Sequence, residues 1–254
     1  MADYLRLRQI CLAAPKLDRL VDDLQEIFDI KVCYRDPNVA KYGLQNALFV
    51  IGDGFLEIVS PTEPNTAGGR FIERTKGHGG YMAIFQANDV RRRQKHAETI
   101  GVRVAHVIDR DAYQNVQLHP RDCRAAFIEF GHSVGGDERS GTWTPAGENW
   151  KSFISTGQTK RMLGIEIESP NPNDLAAHWS KIIETPLVKD KDGNPQLTFE
   201  DGTIRFVKGE NECLGALAVE VTDVAATLSR AVSCGYRVER DTFHLGGVNF
   251  RVRG

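Results

Sequence analysis

The chain has 254 residues, 26% of them charged and 41% hydrophobic, and a formal net charge of −2. This length allows one large domain or two of about 100–150 residues, and the lack of a basic excess argues against nucleic acid or an anionic membrane as a partner. Apolar runs such as residues 47–51 fall far short of the ~20 residues of a membrane span, and no secretory pattern opens the chain. We therefore expect a cytoplasmic protein.

The first predicted unit has the order βαβββ. Residues 5–14 have strand character, and apolar residues between Leu17 and Phe28 then recur at helical spacing. Three further strand-like segments follow, at residues 31–34, 45–51 and 55–59. A stretch rich in Gly, Pro and Thr at 60–80 ends the unit.

Three further units repeat this order. The second starts near residue 81, has a helix from the cap Asp89 to Gly101, and continues in strands near 102–107, 116–119 and 125–130. The third starts at 163–168, and the fourth runs from 217 to the end. The basic run at 91–96 follows the cap, which favours a solvent-exposed helix face.

An internal repeat supports this division. Six residues recur at one offset of 134, namely Asp89, Val90, Ala97, Gly101, Arg103 and Val104, which return as Asp223, Val224, Ala231, Gly235, Arg237 and Val238. A repeat at a fixed offset indicates that each copy is a supersecondary unit packed against its neighbours. Asp89 and Asp223 should therefore both begin helices.

The four units in two pairs resemble the vicinal oxygen chelate superfamily, which includes glyoxalase I, methylmalonyl-CoA epimerase, extradiol dioxygenases and bleomycin-resistance proteins. The resemblance covers nearly the whole chain and is carried by residues 10–18, 54–61, 118–122 and 127–130. It implies an α+β fold of four βαβββ modules, paired into two cup-shaped mixed β-sheet domains. We expect a first glyoxalase-like domain at 1–140, a linker at 141–160 and a second domain, without a metal site, at 161–254.

The resemblance also implies a metal site in the first cup. In the superfamily, up to four inward-facing side chains bind a divalent ion, and the matching positions here are Gln9, Glu57, Met82 and Glu129. Amide and carboxylate oxygens suit an ion such as Mg²⁺, Mn²⁺, Ni²⁺ or Zn²⁺, whereas a thioether is a poor ligand. The implied metal ligands are therefore Gln9, Glu57 and Glu129, with Met82 lining the substrate site in place of the usual histidine.

The two glutamates allow a second interpretation, because an acid between apolar neighbours in an alternating strand can face solvent. Two acids at equivalent positions favour the cup. Buried together without a cation they would repel, which would raise the pKa of one and leave a general base. We expect the main pocket to be lined by Gln9, Glu57 and Glu129.

Other polar residues are candidates at the same cup. His78, in the glycine-rich segment 77–80, could contact substrate, as could Arg35 and Asn46, which suit a carboxylate or carbonyl. His119 could carry a proton in catalysis. The alternatives are a turn histidine bonded to backbone at 119 and solvated strand ends at 35 and 46.

The carboxy-terminal half offers less. Its equivalent positions fall near Gly164 and Ala216 in the opening strands, and at Phe206 and Val252 or their neighbours in the closing strands. None of these binds metal, which argues against an extradiol dioxygenase.

The leading hypothesis is a glyoxalase-like lyase or isomerase that abstracts a proton beside the carbonyl of a small oxygenated compound or acyl thioester. Glu57 or Glu129 would be the base, and a homodimer is compatible with this reading. The alternative is a non-catalytic protein that binds a small molecule, of the bleomycin-resistance type.

Overall fold

The computed structural model describes residues 4–155 and 157–254. These residues form sixteen strands, six α-helices and three short 3-10 turns. None of the helices in these two ranges is long and apolar enough to cross a membrane.

Each module has one strand, a helix and three more strands. The first consists of β1 (Leu5–Ala13), α1 (Asp18–Phe28), β2 (Val32–Tyr34), β3 (Leu44–Ile51) and β4 (Gly54–Pro61). After α2 (Ala67–Thr75), the second consists of β5 (Met82–Ala87), α3 (Val90–Thr99), β6 (Val104–Arg110), β7 (Tyr113–Leu118), α4 (Pro120–Cys123) and β8 (Phe127–Ser133).

The other two modules repeat the order. The third consists of β9 (Thr159–Ser169), α5 (Pro172–Ile183), β10 (Leu187–Lys189), β11 (Pro195–Phe199) and β12 (Gly202–Lys208). The fourth consists of β13 (Cys213–Val221), α6 (Val224–Ser233), β14 (Val238–Glu239), β15 (Thr242–Leu245) and β16 (Val248–Arg253). The 3-10 turns are Pro37–Tyr42, Thr144–Ala146 and Trp150–Phe153.

The strands form two eight-stranded mixed sheets. The first has the order β2-β3-β4-β1-β5-β8-β7-β6, and the second has the order β10-β11-β12-β9-β13-β16-β15-β14. In every module the opening strand pairs with the closing strand in parallel, and the closing strand pairs with its predecessor antiparallel. The predicted α+β class, with four βαβββ modules in two sheets, is confirmed.

The repeated helix caps are also confirmed. The Asp89 carboxylate accepts a hydrogen bond from the Arg92 amide at 2.8 Å, and the Asp223 carboxylate accepts one from the Ala226 amide at 2.9 Å. Each cap satisfies an amide that has no partner within the first turn of its helix.

By contacts the chain divides into two compact units, each of which combines separate stretches of sequence. The first, here called the Glu129 unit, contains residues 4–8, 82–144 and 164–214. The second, the Glu57 unit, contains residues 9–81, 145–155, 157–163 and 215–254. The expected domain boundaries at 140 and 161 stay a prediction.

In the Glu57 unit, the core joins elements far apart in sequence. The ring of Phe28 on α1 lies 5.9 Å from that of Phe243 and 5.3 Å from that of Phe250, and all three side chains are at most 1% exposed. The apolar face of α1 therefore packs on strands of the fourth module.

The core of the Glu129 unit contains a charged side chain that the sequence reading put in solvent. Arg93 on α3 is only 4% exposed. Its Nη1 donates to the Ile183 carbonyl and to the Glu184 carboxylate, both at 2.9 Å. The prediction of a wholly solvated basic face was wrong at this position, because a buried guanidinium is tolerated where acceptors meet it.

The connector after β8 is packed against the sheets. It has two 3-10 turns, and its side chains Trp143 and Trp150 are 0% and 2% exposed. In the Glu129 unit, the Trp143 ring lies 6.1 Å from that of Tyr113. In the Glu57 unit, the Trp150 ring lies 5.2 Å from that of Phe55.

The caps provide a test of the duplication. Asp89→Ala and Asp223→Ala should each lower the free energy of unfolding by about 1 kcal/mol, because each removes the acceptor for one amide of the first helical turn. Urea denaturation would measure both losses. Asp89→Asn should retain most of the stability, and Asp111→Ala, in an exposed turn, is the control. Equal effects in Asp111→Ala and Asp89→Ala would contradict the capping role.

Candidate functional site

Strand register decides which side chains stand beside each glutamate. In the parallel pairing of β1 with β4, Cys11 lies opposite Glu57, and Gln9 lies opposite Phe55. Side chains two residues apart on a strand share a face, so Gln9, Cys11 and Glu57 lie on one face of the sheet.

Glu57 is buried, with 9% exposure, and both its carboxylate oxygens accept hydrogen bonds. The Gln9 Nε2 group donates to Oε2 at 2.9 Å, and the Asn46 Nδ2 group donates to Oε1 at 2.7 Å. The Asn46 side chain is itself oriented, because its Oδ1 atom accepts the Asp36 amide at 2.8 Å. The solvent-facing interpretation of Glu57 is therefore wrong.

Burial raises the pKa of the Glu57 carboxyl above its ordinary value of 4.5, against the lowering effect of hydrogen bonds from Asn46, Cys11 and Gln9. Tyr81 is 6% exposed and lies near Cys11 and Glu57. Burial raises the pKa of its hydroxyl as well. The sequence reading did not include Cys11 or Tyr81. A carboxyl whose pKa is raised by burial is common at sites of proton transfer.

Glu129, in the other unit, has a similar set of partners. It is 4% exposed and accepts hydrogen bonds from Asn115 Nδ2 at 3.0 Å, Gln117 Nε2 at 2.7 Å and the Tyr113 hydroxyl at 3.3 Å. These three donors alternate along β7, so they share one face of that strand.

The asparagines are a duplicated feature that sequence reading missed in part. Asn46 pairs in register with Val59 and Asn115 with Gly131, each two residues beyond the glutamate of its module. The Asn115 Oδ1 atom accepts the Ile108 amide at 3.1 Å, as the Asn46 Oδ1 atom accepts a backbone amide. The signal was an Asn in the strand before each glutamate, although the hairpin lengths differ.

The donor set around the glutamates does not fit a divalent cation in this arrangement. A cation needs oxygen lone pairs directed at it, whereas the amide groups of Gln9, Asn46 and Asn115 direct N–H bonds at the carboxylates. No group of three or more His, Cys, Asp or Glu side chains that could hold a metal exists in residues 4–155 and 157–254. Metal binding by Gln9, Glu57 and Glu129 stays a prediction, and no step below depends on it.

The remaining predicted site residues have varied surroundings. The Arg35 Nη1 group donates to the Asn46 carbonyl at 3.3 Å, at the edge of the Glu57 cluster. Met82 is buried on β5, opposite Phe127. His78 is exposed, and its ring lies 6.3 Å from that of His244.

His119 has the role that the alternative gave it. Its Nδ1 atom accepts the Arg121 amide at 3.3 Å and caps the short helix α4. The Asp122 carboxylate beside it forms an ion pair with Arg103 at 2.7 Å, which holds its pKa well below the usual range. Because the ring nitrogen is used in capping, we do not carry His119 into the proposed mechanism.

The Glu129 unit has an open groove of about 470 Å³ between α3 and the strands β6 and β7. Its lining includes Val90, Gln94, Val107 and Asn115. None of Gln9, Glu57 and Glu129 lines this groove, and the expectation that they line the main pocket stays a prediction.

The carboxy-terminal modules have charges of the opposite sign at the equivalent positions. Strand pairing puts Gly164 opposite Thr203 and Ala216 opposite Asn249. The counterparts of Glu57 and Glu129 lie two residues further along the closing strands and are Arg205 and Arg251. Each lies one residue before the position named from sequence, which was Phe206 or Val252. Arginine has no lone pair to offer a metal ion, and the lack of a metal site in this half stays a prediction.

Arg205 is already neutralised. It forms ion pairs with Glu166 at 2.9 Å, Asp190 at 2.8 Å and Asp192 at 3.4 Å. The position that holds an isolated carboxyl in the first module therefore holds a closed ion-pair network in the third.

No protein-family model matches the chain, and no curated protein matches its sequence. Among solved structures, a hypothetical protein from Staphylococcus aureus is similar over 100% of this chain and 99% of its own, with a TM-score of 0.68 and 14% identity. Methylmalonyl-CoA epimerase of Streptomyces coelicolor, in complex with 2-nitronate-propionyl-CoA, covers 51% of this chain and 97% of its own, with a TM-score of 0.46 and 24% identity.

The methylmalonyl-CoA epimerase of Mycobacterium tuberculosis covers 50% of this chain and 87% of its own, with a TM-score of 0.45 and 17% identity. The structural neighbours thus include a protein that the sequence resemblance named. The full-length match to the Staphylococcus aureus protein supports the overall fold, and identities this low speak to fold alone.

The raised pKa of Glu57 predicts a pH dependence of stability. As pH rises above about 4.5, the unfolded chain loses this proton before the folded chain does, so the free energy of unfolding falls until the folded carboxyl has ionised as well. Glu57→Gln removes this titration. Relative to that variant, wild-type stability should fall with rising pH by about 1.4 kcal/mol per unit of pKa elevation, measured by urea denaturation.

The exposed Glu63→Gln is the matched control and should keep the wild-type pH profile. A difference between wild type and Glu57→Gln that is flat, or that grows in favour of wild type with pH, would show that Glu57 has no raised pKa.

Proposed function

We propose that the chain is a glyoxalase-like isomerase or lyase that moves a proton at the carbon beside the carbonyl of a small oxygenated compound or acyl thioester, with Glu57 as the base. The observation that carries the proposal is the buried Glu57 carboxyl, held by the amides of Gln9 and Asn46. A general base works best when its pKa approaches the working pH, and burial moves the pKa of Glu57 in that direction.

The chemistry follows from these contacts. The Glu57 carboxylate takes the proton, the electrons of the broken C–H bond form an enolate, and return of the proton to carbon gives exchange or epimerisation. Elimination of a neighbouring leaving group from the enolate gives the lyase outcome.

Protonation of Glu57 also changes the role of its partners. A neutral carboxyl attracts amide donors less than a carboxylate does, so the Gln9 Nε2 group can turn to the enolate oxygen as negative charge moves there. The hydrogen bond from Asp36 to Asn46 keeps the Asn46 amide in place throughout the step. Asn46 therefore positions the base while Gln9 responds to the charge.

The alternative function is binding without chemistry. The observation in its favour is the aromatic contact of Phe55 with Trp150, next to Glu57 on β4. This aromatic pair suits an aromatic ligand, and an apolar lining with few polar groups is common in binding pockets.

Exchange of the α-proton of a small compound for deuterium distinguishes the proposed reaction from binding without chemistry. In D₂O, wild-type protein should catalyse loss of the α-proton NMR signal of a propionyl thioester or of hydroxyacetone, and Glu57→Gln should lower that rate at least about 100-fold, as expected for loss of a general base. Glu63→Gln should retain the wild-type rate. The test should be repeated with added Mg²⁺, Mn²⁺, Ni²⁺ and Zn²⁺.

Saturable binding of these compounds with no exchange above background would favour the binding protein. An exchange rate that is unchanged in Glu57→Gln and lost in Glu129→Gln would assign the base to the other unit.

A further inference from the structure

The connector covers the strand face that carries Glu57. Within the Glu57 unit, the Trp150 ring meets the Phe55 ring edge-on at 5.2 Å and an interplanar angle of 80°. Phe55 and Glu57 are two residues apart on β4 and so point to the same side. Nearby, a Cβ atom built on Gly147 would lie 2.7 Å from the ring of Tyr34, so the connector backbone lies directly against β2.

Within residues 147–154, one side chain is fully buried against the sheet. In residues 147–154, Trp150 is the buried position, whereas Glu148, Asn149 and Lys151 are exposed. The backbone hydrogen bonds of the turn are local, from Ser152 to Asn149 and from Ile154 to Lys151. A segment whose backbone hydrogen bonds are local and which buries one side chain can open at a free energy below that of global unfolding.

We infer that residues 147–154 form a movable cover, fastened by Trp150 against Phe55, and that a substrate reaches Glu57 only when this cover has swung away from the sheet. The inference rests on the proposed function, in that it takes Glu57 as the group that substrate must reach. In the closed form Glu57 is 9% exposed. The apparent affinity for a ligand is then the intrinsic affinity of the open form multiplied by the fraction of molecules that are open.

The Cys11 thiol can report opening of the cover without any substrate. Cys11 stands opposite Glu57 in the strand register and is 1% exposed. Cys123, in the Glu129 unit, is 0% exposed, and the Trp179 indole donates to its carbonyl at 2.9 Å. All five cysteines are free thiols, so no disulfide complicates labelling.

The experiment labels the full-length native chain with N-ethylmaleimide and follows each cysteine by peptide mass spectrometry at several sub-denaturing urea concentrations. If the cover moves, Cys11 should react at least about tenfold faster than Cys123, and its rate should depend much less on urea, because local opening exposes little surface. Trp150→Ala should raise the Cys11 rate by a further tenfold or so and leave Cys123 within about twofold, whereas Trp150→Phe, which keeps a ring on Phe55, should stay near wild type.

Equal rates and equal urea slopes for Cys11 and Cys123 would mean that Cys11 is exposed only by global unfolding, and the cover would be refuted. If Trp150→Ala does not fold, the two urea slopes of the wild-type chain still decide the matter. Because labelling needs no substrate, selective labelling of Cys11 in a protein that shows no proton exchange would refute the proposed reaction and leave the cover standing.

Discussion

The register of the parallel pair β1 and β4 is the constraint on which the site depends. It sets Cys11 opposite Glu57 and so brings the amide of Gln9 to the same face as the carboxylate. Side chains alternate along a strand, so a slip of one residue would turn Glu57 to the opposite face and part it from these donors. The apolar residues that alternate with Glu57 on β4, Leu56 and Ile58, are 0% exposed, and their burial fixes that register.

Burial of a carboxylate costs several kcal/mol, and the contacts around Glu57 offset much of this. Each hydrogen bond to a charged group contributes about 1.5–3 kcal/mol, and Gln9 and Asn46 each provide one. What they leave uncompensated appears as the raised pKa of Glu57.

The fold could be predicted from sequence because the hydrophobic periodicity, the helix caps and the internal repeat all indicated the same order of elements. Asp89 and Asp223 mark the same helix start in two modules, and strand-like segments marked β1 and β4. The partners of Glu57 were harder to predict, since a hydrogen bond from Asn46 depends on antiparallel register across a hairpin. The burial of Arg93 could not be predicted, because its acceptor, the carbonyl of Ile183, lies 90 residues away in sequence.

The two halves share one strand arrangement through duplication, but they differ in the charge of the side chains at the equivalent positions. The positions of Glu57 and Glu129 recur as Arg205 and Arg251, and the pleat presents each of them as it presents the glutamates. A guanidinium cannot give up its proton in water, so these positions cannot supply a base. Three carboxylates also form ion pairs with Arg205. The equivalent position in the third module is therefore part of an ion-pair network that links β9, β12 and the turn after β10. The base of the proposed reaction is therefore placed in the amino-terminal modules, whereas the matching position of the third module stabilises the fold through its ion pairs.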